Sequence, residues 1–270
     1  MKIPTTQRMY HMRALTLLLC AIPLSTAAAE GTSFVDRFKT IDGQRWRVSD
    51  GWVNGDWHGC RWSRDNLRVV KGGLELTLTN TPRGDRDYTC GELMSRPMYG
   101  YGTFEVRMKP AALNPGIVSA FFTYTGQAHG NPHNEIDIEF ISTRPRNVDV
   151  AFHAGKGPQG LDAQLDFDPR AGMNDYAYHW TPDRVAWYAN GKLLREVKRE
   201  EGKPFPSVPG KLYVSLWNGN DGLNNWLGKF SYPGVPLVAS YEYIAYTKLG
   251  DACQFPESIV CKIGKDALSR

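Results

Sequence analysis

Long apolar runs are scarce in this 270-residue sequence. Beyond the first 29 residues none approaches the roughly 20 residues that a membrane-crossing helix needs, which argues against a membrane span. No segment sustains a 3.6-residue apolar period, no internal repeat or low-complexity tract is present, and no linker marks a second domain. These absences argue against a helical bundle, a solenoid and a multidomain chain. Net charge is also small. The formal +4 falls to about +1 without Lys2, Arg8 and Arg13, so nothing recommends a nucleic acid or an anionic membrane as partner.

Those three basic residues belong to a distinctive opening stretch. They precede an apolar run, Ala14 to Leu24, and three alanines before Glu30, the layout of a secretory signal cleaved near Ala29. The expectation is a bacterial protein delivered to the periplasm or the medium, with residues 30–270 forming a single domain. Cys20 lies in the signal and follows the bulky Leu19, which disfavours lipoprotein processing. Four cysteines remain, Cys60, Cys90, Cys253 and Cys261, an even number suited to disulfides in an oxidising compartment. Zinc ligation is the alternative, weakened by wide spacings and the lack of a CxxC pair.

What the chain does contain is period-two alternation. The stretches from Gly72, Tyr99, Ile117, Asn147, Lys211 and Val238 alternate β-branched or aromatic residues with polar ones, between Gly, Pro and Asn clusters. Asn190-Gly191 between apolar flanks predicts a tight hairpin. The predicted class is all-β, a sandwich of two antiparallel sheets. Aromatic residues make up 12% of the chain, and Trp52, Trp57, Trp62, Tyr124, Trp217 and Trp226 sit beside polar loop chemistry. Flat rings with polar edges suit a sugar, whose C–H face packs on an aromatic surface while its hydroxyls take hydrogen bonds.

The stretch NEIDIEF, Asn134 to Phe140, concentrates the chemistry. On a strand Glu135, Asp137 and Glu139 share one face, and Ile136, Ile138 and Phe140 share the other. Three acids side by side with no basic residue among them repel one another, so a solvated outer face is a poor explanation. At about 3.4 Å per residue, the Cα atoms of Glu135 and Glu139 lie roughly 13 Å apart, and side chains leaning inward bring their carboxyls to about 5 Å. That is the separation used by retaining glycosidases, where one carboxylate attacks the anomeric carbon and the other protonates the leaving oxygen. Asp137 between them would raise the acid's pKa and share a proton with the nucleophile.

The ExDxE pattern of Glu135, Asp137 and Glu139, together with YGYGTFEVRMKP, GIVSAFFTYTG and LWNG in the same order, resembles glycoside hydrolase family 16 and its bacterial lichenases. The resemblance covers nearly all of the chain after the signal. It implies a concanavalin-like β-jelly roll with a concave cleft and retention of anomeric configuration. It further implies Glu135 as nucleophile, Glu139 as general acid/base and Asp137 as assistant. Trp52, Asn54, Glu92, Phe122, Tyr124, Trp217 and Trp226 match cleft positions that hold the glucan. Cys60 and Cys90 match the lichenase disulfide, which leaves Cys253 and Cys261 to each other. No cofactor is implied for catalysis, but a structural calcium is, with Gly73 and Glu242 near its positions and Glu standing where the family has Asp.

Departures from the lichenase pattern bear on the substrate. His133 replaces a Trp, Ala151 an Asn, His153 a Tyr and Met94 an Arg. With the C-terminal DACQFPESIVC extension, they are similar to the branch that trims bacterial exopolysaccharides such as succinoglycan. His133 is thereby a candidate substrate contact. The expected activity is endo-hydrolysis of a β-1,3-1,4-type glucan or such an exopolysaccharide by a monomer. The alternatives are a lectin-like module and a transglycosylase on the same fold.

Overall fold

The computed structural model describes residues 30–155 and 157–262. The expected signal segment and Cys20 lie outside these residues. The alternating segments all form strands: Gly73–Thr79, Gly102–Lys109, Ile117–Thr125, Asn147–Ala154, Lys211–Asn218 and Leu237–Lys248. Asn190 and Gly191 both take positive φ, 48° and 81°, in the turn joining Arg184–Ala189 to Lys192–Lys198. That left-handed pair is what a two-residue hairpin matching the strands' twist requires.

Strand order makes two layers of one curved sheet. The first layer runs Pro158–Gln164, Asn147–Ala154, Asn134–Ile141, Ile117–Thr125, Lys211–Asn218, Tyr88–Ser95. The second runs Gly73–Thr79, Leu237–Lys248, Gly102–Lys109, Asn174–Trp180, Arg184–Ala189, Lys192–Lys198. Among the described residues, these two runs are joined by the pairs Leu78↔Cys90 and Thr79↔Thr89. All these neighbours are antiparallel, so the jelly-roll expectation holds.

The core lies between the layers and anchors the acidic strand. Ile136, Ile138 and Phe140 are buried there with Phe121, Tyr178 and Trp187. Phe140 meets Tyr176 edge-on at 4.9 Å, and Trp187 Nε1 donates to the carbonyl of Asp137 at 3.0 Å. Each such apolar side chain contributes roughly 1.5–3 kcal/mol by burial. Slipping this strand by one residue would put three carboxylates into the core, so its register is fixed.

Disulfides join Cys60 to Cys90 and Cys253 to Cys261. The first ties the loop before Arg61 to the junction between layers. It also removes the zinc alternative there, because His58 beside these cysteines finds no free thiolate. The second closes a C-terminal tail over the second layer. Ser258 Oγ and the Ile259 amide both donate to the buried Glu105 carboxylate at 2.7 Å, while Phe255 packs on Tyr243.

Candidate active site

Antiparallel register arranges the cleft face in rows across the first layer. One row sets Glu135 between Tyr124 and His153, the next sets Asp137 between Phe122 and Ala151, and the third sets Glu139 between Ala120 and Asp149. The rows continue on the far side: Phe122 pairs with Tyr213 and then Met94, and Ala120 with Ser215 and then Glu92. The acids therefore stand at the centre of a sheet.

Their surroundings separate their proton affinities. Glu139 is raised to about 8, first by burial and then by the charges of Glu135 and Asp149. Asp137, only 5% exposed, is raised well above the carboxylate range by burial and by Glu135, Glu139 and Asp149. Glu139 therefore keeps its proton near neutral pH, and the same causes favour the protonated form of Asp137. Glu135 Oε2 lies 2.7 Å from His133 Nε2, and that hydrogen bond raises the His133 pKa. The neighbouring His153 is lowered by burial, and its Nε2 lies 3.4 Å from Asp137 Oδ2. The two imidazoles stack in near-parallel planes, 5.2 Å apart, with their proton affinities moved in opposite directions.

The other expected cleft residues spread along the same layer. Phe122 stacks on Tyr213 at 4.9 Å, and Tyr124 meets His133 edge-on. Trp217 touches Trp57 at 5.2 Å and Trp226 at 6.3 Å, forming an aromatic group whose outer members are about two-fifths exposed. Glu92 accepts a short bond from Ser49 Oγ, and burial lifts it to about 7. Asn54 accepts from Trp62 Nε1 at 2.9 Å, which holds its loop, and Trp52 packs under the Arg47 guanidinium. Sequence reasoning left Tyr213 and Asp149 out of the candidate set and named Trp57 only among the rings suited to a sugar. Tyr213 and Asp149 were readable from alternation, standing at i−4 from Trp217 and from His153.

Gly73 and Glu242 do not suit a calcium ion. A Cβ at Gly73 would meet the Tyr241 carbonyl at 2.0 Å, so glycine is required there for close strand approach. The Glu242 carboxylate is bonded by Arg107 Nε at 2.9 Å and lies 3.9 Å from Arg37. Calcium takes six to eight oxygens, whereas two guanidinium groups occupy the neighbourhood of this one carboxylate and oppose a further cation.

Comparison with known proteins agrees with this architecture. Residues 54–233 match Glycosyl hydrolases family 16. The chain is similar to the Endo-1,3-1,4-beta-glycanase ExoK of Rhizobium meliloti (strain 1021), 40% identical over 232 residues, covering 86% of this chain and 84% of that one. It is also 40% identical to the Beta-glucanase of Bacillus amyloliquefaciens over 236 residues, 87% and 95% of the two chains. The solved Bacillus licheniformis beta-glucanase superposes with a TM-score of 0.74 at 37% identity, covering 81% of this chain and 99% of that one. The chain belongs to glycosyl hydrolase family 16.

Proposed function

We propose that the protein is an exported retaining endo-β-glycanase whose single catalytic domain begins near Glu30 and acts as a monomer. One observation supports the mechanism: three carboxylates alternate along one cleft face, with Asp137 between Glu135 and Glu139. The Glu135 carboxylate attacks the anomeric carbon while Glu139, protonated, gives its proton to the departing oxygen. Glu139 then takes a proton from water, whose oxygen displaces Glu135 and restores the original configuration. His133 fixes Glu135 Oε2, leaving Oε1 for attack, and the neutral Asp137 shares its proton with Glu135 as that charge is consumed and returned. Trp52, Asn54, Glu92, Phe122, Tyr124, Trp217 and Trp226 hold the polymer.

The substrate is a β-1,3-1,4-linked glucan or, as the preferred reading, a succinoglycan-like exopolysaccharide. Ala151 leaves room beside Asp137, and the partly exposed His133 and His153 present hydrogen-bonding edges to substituents on the chain. Similarity to ExoK supports the same direction. No helix of the described residues is long and apolar enough to cross a membrane. The test is incubation with lichenan, laminarin and succinoglycan, reading reducing ends and product sizes. Internal cuts with a higher kcat/KM on succinoglycan support the proposal. Lichenan cut faster than every acidic polymer would reassign the substrate, and no cleavage of any would remove the activity.

A further inference from the structure

His133, Glu135 and His153 form a cluster that glycoside hydrolysis does not by itself require. One ring nitrogen of each imidazole and a Glu135 carboxylate oxygen lie within 4.8 Å of one another. Register makes the cluster: His153 is the direct cross-strand partner of Glu135, and His133 stands two residues before it on the same chain. The rings stack 16° from parallel, with His133 Nε2 on Glu135 and His153 Nε2 near Asp137. Asp137 Oδ2, 3.4 Å from His153 Nε2, stands beside the three as a fourth donor atom.

We propose that this cluster is a binding site for a zinc-class divalent ion, and that the ion switches the enzyme off by taking the nucleophile. Two imidazoles and one carboxylate are a recurring zinc set that leaves a fourth position for water. Imidazole donors select zinc, copper or nickel over calcium and magnesium. Donors around a tetrahedral zinc at about 2.0–2.1 Å stand roughly 3.3 Å apart, so gaps between 2.7 and 4.8 Å need only side-chain rotation. The exposed His133 edge leaves the entry route open to the cleft. Zinc ligated by Glu135 withdraws the lone pair that would attack the anomeric carbon, and its bound water fills the space for the sugar.

The inhibitory half rests on Glu135 being the nucleophile; the binding half does not. Calorimetric titration of the full chain with zinc chloride should show one ion per chain. Cobalt(II) should give the visible absorption of a tetrahedral site. Affinity should fall on the order of 10-fold or more in His133→Ala and in His153→Ala, each checked for folding by circular dichroism. His129→Ala, at a histidine outside the cluster, should keep wild-type affinity. Turnover should fall in step with occupancy and return with EDTA. Absence of saturable binding, or equal affinity in the His133→Ala, His153→Ala double variant, overturns the site. Stoichiometric binding with turnover intact keeps the site and instead removes Glu135 from its role as nucleophile.

Discussion

Glu135→Gln should lower the proton affinity of Glu139, and the size of the effect can be worked out. Glu139 owes its value of about 8 to burial first and to Glu135 second. With carboxyls about 5–6 Å apart, two unit charges at an effective dielectric constant of about 20 repel by roughly 3 kcal/mol, or about two pKa units. Removing the Glu135 charge should therefore bring Glu139 from about 8 to roughly 6, still above an ordinary glutamate because burial persists. In the proposed mechanism a covalent bond to Glu135 would neutralise it in the same way, and Glu139, the proposed proton donor of the first step, would become a better-matched base for the second. Carbon-13 NMR of side-chain-labelled glutamate can follow this titration directly, with Glu139→Gln assigning the resonance. A resonance still titrating near 8 in Glu135→Gln would refute the electrostatic coupling, and one near 4.5 in the wild type would refute the raised acid.

Glu139→Ala should slow polysaccharide cleavage by at least 100-fold, yet spare the first step on aryl glycosides with good leaving groups, which need no proton. Equal losses on both substrates, measured by steady-state kinetics, would remove the acid role. His133→Trp with Ala151→Asn should shift the ratio of kcat/KM from succinoglycan toward lichenan by roughly 1–3 kcal/mol of discrimination. An unchanged ratio would detach these positions from specificity. Glu105→Gln probes the tail. The folded pKa of Glu105, about 6, exceeds its ordinary 4.5, so its contribution is full below 4.5 and lost as pH rises through 6. Urea unfolding of wild type minus variant should show this loss as about 2 kcal/mol, and a difference independent of pH would contradict it.

The catalytic strand was legible because its two faces carry opposite chemistry: Ile136 and Ile138 belong in a core, and Glu135, Asp137 and Glu139 do not. The Asn190-Gly191 hairpin was legible because few residues accept its left-handed backbone. What stayed hidden depends on distant partners. Pro158–Gln164 reads as a loop, with a proline and a glycine, yet it becomes the outermost strand because Asn147–Ala154 supplies its hydrogen bonds. Glu105 looks like an ordinary strand acid until residues more than 150 positions away close over it. The calcium expectation lacks support for a similar reason, since nothing local to Glu242 announces the Arg107 that takes its carboxylate. The opposite pKa shifts of His133 and His153 follow from one hydrogen bond and from burial, neither of which the sequence displays.

The central claim, that Glu135 forms the covalent bond to sugar, is tested most directly by Glu135→Ala supplied with azide. The variant should be inactive alone. Added azide should enter the vacated side and restore part of the turnover, and proton NMR should find a glycosyl azide of inverted configuration. A rescued product of retained configuration, or near-normal hydrolysis without azide, would contradict the account.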